Sequence, residues 1–134
     1  MVEDVVLKVA ERRMREIASE LPDPDIVTHF SVEEDGRGRI DLFLKMEMIG
    51  QEFIETSSSW REEGRLGDYR KVLNKKVRLV VMAPLAEAMK VRMMMLELNN
   101  WWMFNYLVYG YDAQGRLVSV LRPEPPDRQP SYVA

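Results

Sequence analysis

From Ile40 to Met48 every second residue is apolar: Ile40, Leu42, Leu44, Met46 and Met48, with Asp41, Lys45 and Glu47 between them beside Phe43 and Ile49. A period of two puts all five side chains on one face of a strand, and such a face is stable only when something covers it. Upstream, Ile26, Thr28, Phe30 and Val32 alternate with Val27, His29, Ser31 and Glu33, and Asp35-Gly36-Arg37-Gly38 separates the two runs. The pattern predicts two strands joined by a glycine turn. The nearest cover is the segment from Glu3 to Leu21, where Val6, Ala10, Met14, Ile17 and Leu21 recur at the steps of three and four that make an amphipathic helix. Glu3 and Asp4 suit its positive end, and Pro22 and Pro24 stop it.

Residues 50–76 carry the weakest pattern. Phe53, Ile54 and Thr56 are enough for a short strand, but Ser57-Ser58-Ser59 dilutes it, and Gly64 and Gly67 each disfavour a helix by about 1 kcal/mol. A long loop with one helical turn near Asp68–Leu73 is expected there. Val77–Met82 is β-branched and apolar and predicts a strand, which Ala83-Pro84 ends. From Leu85 to Asn99 the residues Leu85, Ala88, Met89, Met93 and Leu96 form a helical stripe, widened by Val91, Met95 and Leu98. A helix apolar over so much of its circumference is expected to be largely buried. Phe104–Tyr111 and Arg116–Arg122 then read as a hairpin about Asp112-Ala113-Gln114-Gly115. The predicted class is α+β, an antiparallel sheet in the order α-β-β-(loop)-β-α-β-β with helices packed on it. Residues 1–122 form the one expected domain. Beyond Pro123 three further prolines and little apolar material predict a disordered tail over 123–134.

Composition narrows the chemistry. The 134 residues include no cysteine and one histidine, which removes disulfides, thiol nucleophiles and the thiolate–imidazole zinc site from one chain. No cofactor or metal is expected. Charge interrupts every apolar stretch well before the ~20 residues of a membrane span, and the acidic Met1-Val2-Glu3-Asp4 start is unlike a signal peptide. These features predict a cytoplasmic protein with no membrane partner. His29, Ser31 and Glu33 share a strand face, but steps of two residues hold their Cα atoms about 6.6–7 Å apart, too far for a tight triad. Glu33, Glu34 and Asp35 at a turn, and Glu62-Glu63, lack any calcium-loop spacing. No glycine-rich phosphate-binding pattern occurs. No catalytic residue is assigned, and the chain reads as a non-enzyme.

Two segments remain as candidate binding regions. Residues 61–78 hold 7 basic and 3 acidic side chains, against 7 and 14 in residues 1–60. With Trp60 and Tyr69 interleaved, Arg61, Arg65, Arg70, Lys71, Lys75, Lys76 and Arg78 offer a single-stranded nucleic-acid site over 60–78, a reading that the acidic whole-chain balance weighs against. The denser signal is aromatic. Trp101, Trp102, Phe104, Tyr106, Tyr109 and Tyr111 follow closely on Met94, and strand parity places aromatics on both faces of 104–111. One face can meet the domain's own core, which leaves the other for a partner, since Trp and Tyr anchor interfaces and Met repacks against varied surfaces. The leading expectation is therefore a chaperone-like or regulatory protein-interaction module, homodimeric, with those seven residues as its contact surface. A small-ligand pocket or enzyme enclosed by sheet and helices is the alternative.

The stretch from Pro84 to Leu121 also resembles a known family. The helix Met93-Met94-Met95-Leu96-Glu97-Leu98-Asn99-Asn100-Trp101-Trp102, the strand from Phe104, the turn Asp112-Ala113-Gln114-Gly115 and the strand from Arg116 are similar to the corresponding run of YbjN-like proteins. The order of elements looks like the type III secretion chaperone fold. The 50–76 segment is longer than that family's usual link, and a proline-rich tail stands where secretion chaperones have a closing helix. The resemblance implies a non-enzymatic, often dimeric protein that binds polypeptides through hydrophobic sheet or helix surfaces, and it brings no catalytic residues with it.

Overall fold

The computed structural model describes residues 3–98 and 106–120. It is an α+β fold in which a six-stranded mixed sheet carries α1 (Asp4–Glu20) on one face and α2 (Arg65–Asn74) and α3 (Ala88–Met95) on the other. The strands are β1 (Ile26–Val32), β2 (Gly38–Leu44), β3 (Glu47–Ile54), β4 (Arg78–Pro84), β5 (Tyr106–Tyr111) and β6 (Leu117–Ser119), and they lie in the sheet in chain order. The predicted β5–β6 hairpin and α1 are present. The tail over 123–134 lies outside the described residues. Of these described helices none is long and apolar enough to cross a membrane.

The sheet is not wholly antiparallel, which corrects the expected topology. β1–β2, β2–β3 and β5–β6 pair antiparallel, whereas β3–β4 and β4–β5 are parallel. Parallel neighbours need a crossover, and α2 and α3 supply the two. β4, at the middle of the parallel set, shows why. Leu79, Val80, Val81, Met82 and Ala83 are all buried, Leu79, Val81 and Ala83 under α2 and α3 and Val80 and Met82 under α1. A continuous apolar run is what a strand covered on both faces requires.

Two local corrections follow. The single apolar strand expected over Ile40–Met48 is a hairpin, with Leu44 paired to Glu47 across a Lys45-Met46 turn. A two-residue turn preserves the alternation, and Lys45 (φ 51°) and Met46 (φ 69°) occupy the left-handed region where glycine or asparagine is usual. The expected loop over 50–76 holds the rest of β3 and the whole of α2. Gly64 (φ 85°) stands just outside that helix and turns the chain into it, while Gly67 sits within it with open space around its Cα.

Candidate interaction surface and buried charge networks

Of the seven residues expected to form a contact surface, Trp101, Trp102 and Phe104 lie outside the described residues. The structure distributes the other four between core and rim. β5 is an inner strand of the sheet, paired on both edges, with Tyr106 and Val108 on the α2–α3 face and Tyr109 and Tyr111 on the α1 face, where Leu107 is 45% exposed. Tyr106 is buried beneath α3, where its hydroxyl donates to Met95 O at 3.2 Å and the Arg92 guanidinium lies 5.2 Å from its ring centre. Tyr111 is buried on the α1 side and donates to Glu55 O at 2.6 Å. Burial, then the negative charges of Glu3, Glu55 and Glu87, raise its phenol above the ordinary range. Tyr109 is half-buried with Arg13 stacked 5.5 Å above it. Met94, also half-buried, lines an open cleft with Trp60, Arg61, Arg65 and Leu66. Tyr106 and Tyr111 are thus core residues, while the α1 face of β5 is left partly open at Leu107 and Tyr109.

A denser row of exposed apolar residues lies along α3 and the segments that flank it. Val91 and Met95 sink into the core with Ala88, and the opposite side of the segment presents Leu85 (47% exposed), Met89 (44%), Met93 (53%) and Leu96 (36%). Met89, Met93 and Leu96, four and three residues apart along α3 and the 3-10 helix Leu96–Leu98 that follows it, share one stripe, and Leu85 precedes them in the turn that leads into α3. Exposed apolar residues scattered singly are ordinary, but a run at helical spacing is a surface. Gly110 positions it: a Cβ there would stand 2.6 Å from Leu85 Cδ1 and 3.2 Å from Ala88 Cβ, so the missing side chain lets the start of α3 rest directly on β5. Leu85 N donates to Tyr111 O at 2.8 Å at the same place. Val118 of β6, paired with Gly110 and 51% exposed, extends the apolar patch from the helix onto the sheet.

The carboxyl ends of parallel strands are where open α/β sheets usually hold ligands, and here that edge is filled by ion pairs. Glu55, immediately after β3, is fully buried. It accepts from the Ser59 hydroxyl at 2.6 Å, from Arg37 Nη1 at 3.3 Å and from the Tyr69 hydroxyl, with Arg65 Nε at 3.4 Å. Arg65 in turn bonds Asp35, Asp68 (3.1 Å) and the Ser59 carbonyl (2.7 and 3.0 Å), and Arg37 bonds Glu33 (2.7 Å). Burial and the Glu55 charge push the Tyr69 phenol well above its usual range. Burial alone would raise the Asp35 carboxyl, but the Arg65 hydrogen bond, the Arg37 backbone N–H and both guanidinium charges hold it below the ordinary value. Both carboxylate oxygens of Glu55 have donors, so it ties the β1–β2 turn, β3 and α2 together.

On the other face, Arg13 occupies a core position of α1 and grips Glu52 of β3 through Nε (2.5 Å) and Nη2 (2.9 Å), with Glu20 at 3.0 Å. Burial would lower its pKa, but the bonds and charge of Glu52 and Glu20 raise it. Glu87, at the start of α3, accepts from Ser57 (2.6 Å) and the Trp60 indole (2.7 Å), which lower its pKa, and pairs with Arg61 (3.1 Å).

These networks also dismantle the basic segment as a unit. Arg61 binds Glu87, Arg65 binds Asp35, Asp68 and Glu55, Arg78 binds Glu20 and Glu52, and Lys75 donates to Gln51. Arg70, Lys71 and Lys76 are exposed on or beside α2. His29 is exposed on the edge strand β1, across from Asp41, which accepts from Gln51 at 2.9 Å. Among the described residues no group of three or more His, Asp or Glu is placed to hold a metal ion. Sequence reasoning missed Arg13, Glu52 and Glu55, although a charged residue at a helix core position and two carboxylates in an apolar strand were the signal. The chain matches no family model, no curated protein and no solved structure, and nothing in those comparisons bears on the YbjN-like resemblance.

Proposed function

We propose that this chain is a non-enzymatic, chaperone-like or regulatory binding module for other polypeptides, with the outer stripe of α3 as its contact face. The observation that carries the reading is the row Leu85, Met89, Met93 and Leu96, each at least 36% exposed and continued by Val118. Methionine-rich helix faces suit varied partners because the unbranched thioether side chain repacks at little cost. The polar clusters elsewhere favour this reading over an enzyme, since the buried carboxylates are already engaged with arginines and hydroxyls. The proposed contact face differs from the aromatic one expected from sequence: it has moved from β5 to the helix that covers it.

The test is retention of polypeptides from native lysate by immobilised wild-type protein and by Met89→Glu/Met93→Glu. Both substitutions fall on exposed positions, so circular dichroism is expected to be unchanged. Loss of the retained polypeptides in the variant supports the reading. An identical retained set for the two proteins refutes it.

A further inference from the structure

β1 is an open edge of the sheet, and it lacks the devices that keep sheet edges apart. Its residues, Ile26-Val27-Thr28-His29-Phe30-Ser31-Val32, include no Asp, Glu, Lys, Arg or proline, and its pairing with β2 runs without a bulge. Glu33 N donates to Arg37 O at 2.9 Å, so alternation turns the backbone groups of Val27, His29 and Ser31 toward β2 and those of Thr28, Phe30 and Val32 outward. Among the described residues nothing bonds these outward groups, whereas Ile26 N already donates to Asp23 O at 3.1 Å. The three helices stand back from this edge: α1 packs over β2 and β3, α2 over β4, and α3 over β4 and β5.

We propose that a second copy of the chain pairs on this edge, β1 against β1 antiparallel, and continues the sheet across a two-fold axis at His29. Positions equidistant from His29 then come opposite each other: Thr28 and Phe30, Val27 and Ser31, Ile26 and Val32. This register alone pairs the whole of Ile26–Val32. The outward backbone groups of Thr28 and Phe30 bond each other across the axis, and Val32 N donates to Ile26 O of the other copy. The side chains argue for a second copy over an unrelated strand. On the α1 face an open cleft lies beside one end of β1, lined by Met14, Ala18, Leu21, Ile26 and Thr28. The register sets Val32 of the other copy, 40% exposed in the single chain, opposite Ile26, and its half-buried Phe30 opposite Thr28. Each copy brings two apolar side chains to the cleft of the other, so both clefts fill at once. Past the strand ends Asp25 comes opposite Glu33, whose charge Arg37 and Arg39 already meet, so added salt strengthens the pairing. The edge is separate from the α3 stripe, and the inference goes beyond the proposed function without resting on it.

Sedimentation velocity of wild-type protein from about 5 to about 500 µM is expected to show a monomer–dimer transition. Val32→Glu alters a side chain exposed in the single chain but sets a carboxylate against the apolar cleft, and weakens the dimer at least about tenfold with circular dichroism unchanged. Because the chain has no cysteine, cross-linking reads the register. Opposed residues that exchange no backbone hydrogen bonds have Cα atoms about 4.5 Å apart, within disulfide reach. Under air and copper–phenanthroline, His29→Cys is expected to give a disulfide-linked dimer. Val27→Cys alone, about 13 Å along the strand from its own copy, stays single, and mixed with Ser31→Cys it cross-links. Wild-type protein that stays monomeric throughout, a dimer that Val32→Glu leaves intact, or His29→Cys that cross-links no faster than Val27→Cys each overturns the inference. Monomeric wild-type protein from which Val32→Glu loses polypeptides in lysate makes the edge a site for foreign strands and overturns self-pairing. A dimer that Met89→Glu/Met93→Glu leaves intact, with no polypeptide lost from lysate, upholds the edge pairing while the α3 reading fails.

Discussion

Removing Arg13 separates the worth of a buried ion pair from the cost of breaking it. Arg13→Met keeps an unbranched side chain of similar length in contact with Tyr109 and the α1 core, but leaves Glu52, 1% exposed, with Arg78 at 3.4 Å as its remaining cation. Orphaning one member of a buried pair costs about 3–5 kcal/mol, and the Arg78 contact, whose side chain is 38% exposed, places this case near 3. For a domain of this size that is about 10 °C in Tm. Glu52→Leu costs about 2 kcal/mol, because Arg13 retains Glu16 and Glu20, which are 40% and 43% exposed and can recruit water. In Arg13→Met/Glu52→Leu both charges are gone, and the double variant lies within about 1 kcal/mol of wild type. Urea unfolding followed by circular dichroism, with m held constant across the four proteins, gives a coupling energy of at least about 3 kcal/mol. A double variant as unstable as the summed singles, or an Arg13→Met cost below about 1 kcal/mol, refutes the buried-pair account.

Gly110→Ala is expected to destabilise by about 1–3 kcal/mol in the same assay, because the new methyl meets the Leu85 backbone Cα at 3.1 Å as well as its side chain, while Gly67→Ala, with nothing within 4 Å, stabilises α2 by about 1 kcal/mol. Met46→Gly relieves a left-handed methionine and raises stability by about 1 kcal/mol, read as a rise in urea midpoint. Asp35 is held below its unfolded pKa of about 3.9, so its bond to Arg65 contributes stability that is full above pH 4 and is lost as pH falls further. Asp35→Asn should lower stability at pH 7 and flatten the acid limb below pH 4 in thermal scans; an unchanged acid limb rules that contribution out.

How far the chain could be read in advance varies by element. α1 and β1 announced themselves because each has one buried face and an unmixed period, and the β5–β6 hairpin because Asp112-Ala113-Gln114-Gly115 is a clear turn between two β-rich runs. The Lys45-Met46 turn was hidden, since two non-glycine residues with positive φ leave no turn signature and the apolar alternation runs through it. α2 was hidden by glycines that do different work, Gly64 outside the helix and Gly67 inside it. Its buried face uses Arg65 beside Tyr69, Val72 and Leu73, so the charge that marked a solvated loop is internal. The same holds at the candidate site. Aromatic density pointed to residues 104–111, where Tyr106 and Tyr111 are core, whereas the α3 stripe appeared in the sequence as evidence of burial. A helix apolar around most of its girth reads as internal, and only the position of β5 and β6 shows which side remains outside.

Because the six strands lie side by side in the order in which they are synthesised, no strand has to be threaded between two already paired neighbours. Each new segment needs only the edge left by the one before it, so assembly can advance across the sheet as the polypeptide emerges, with modest loop closure at each addition. Truncation after β4 removes the far rim and not the middle of the ladder, which makes the amino-terminal three-stranded meander with its helix the natural place for folding to begin.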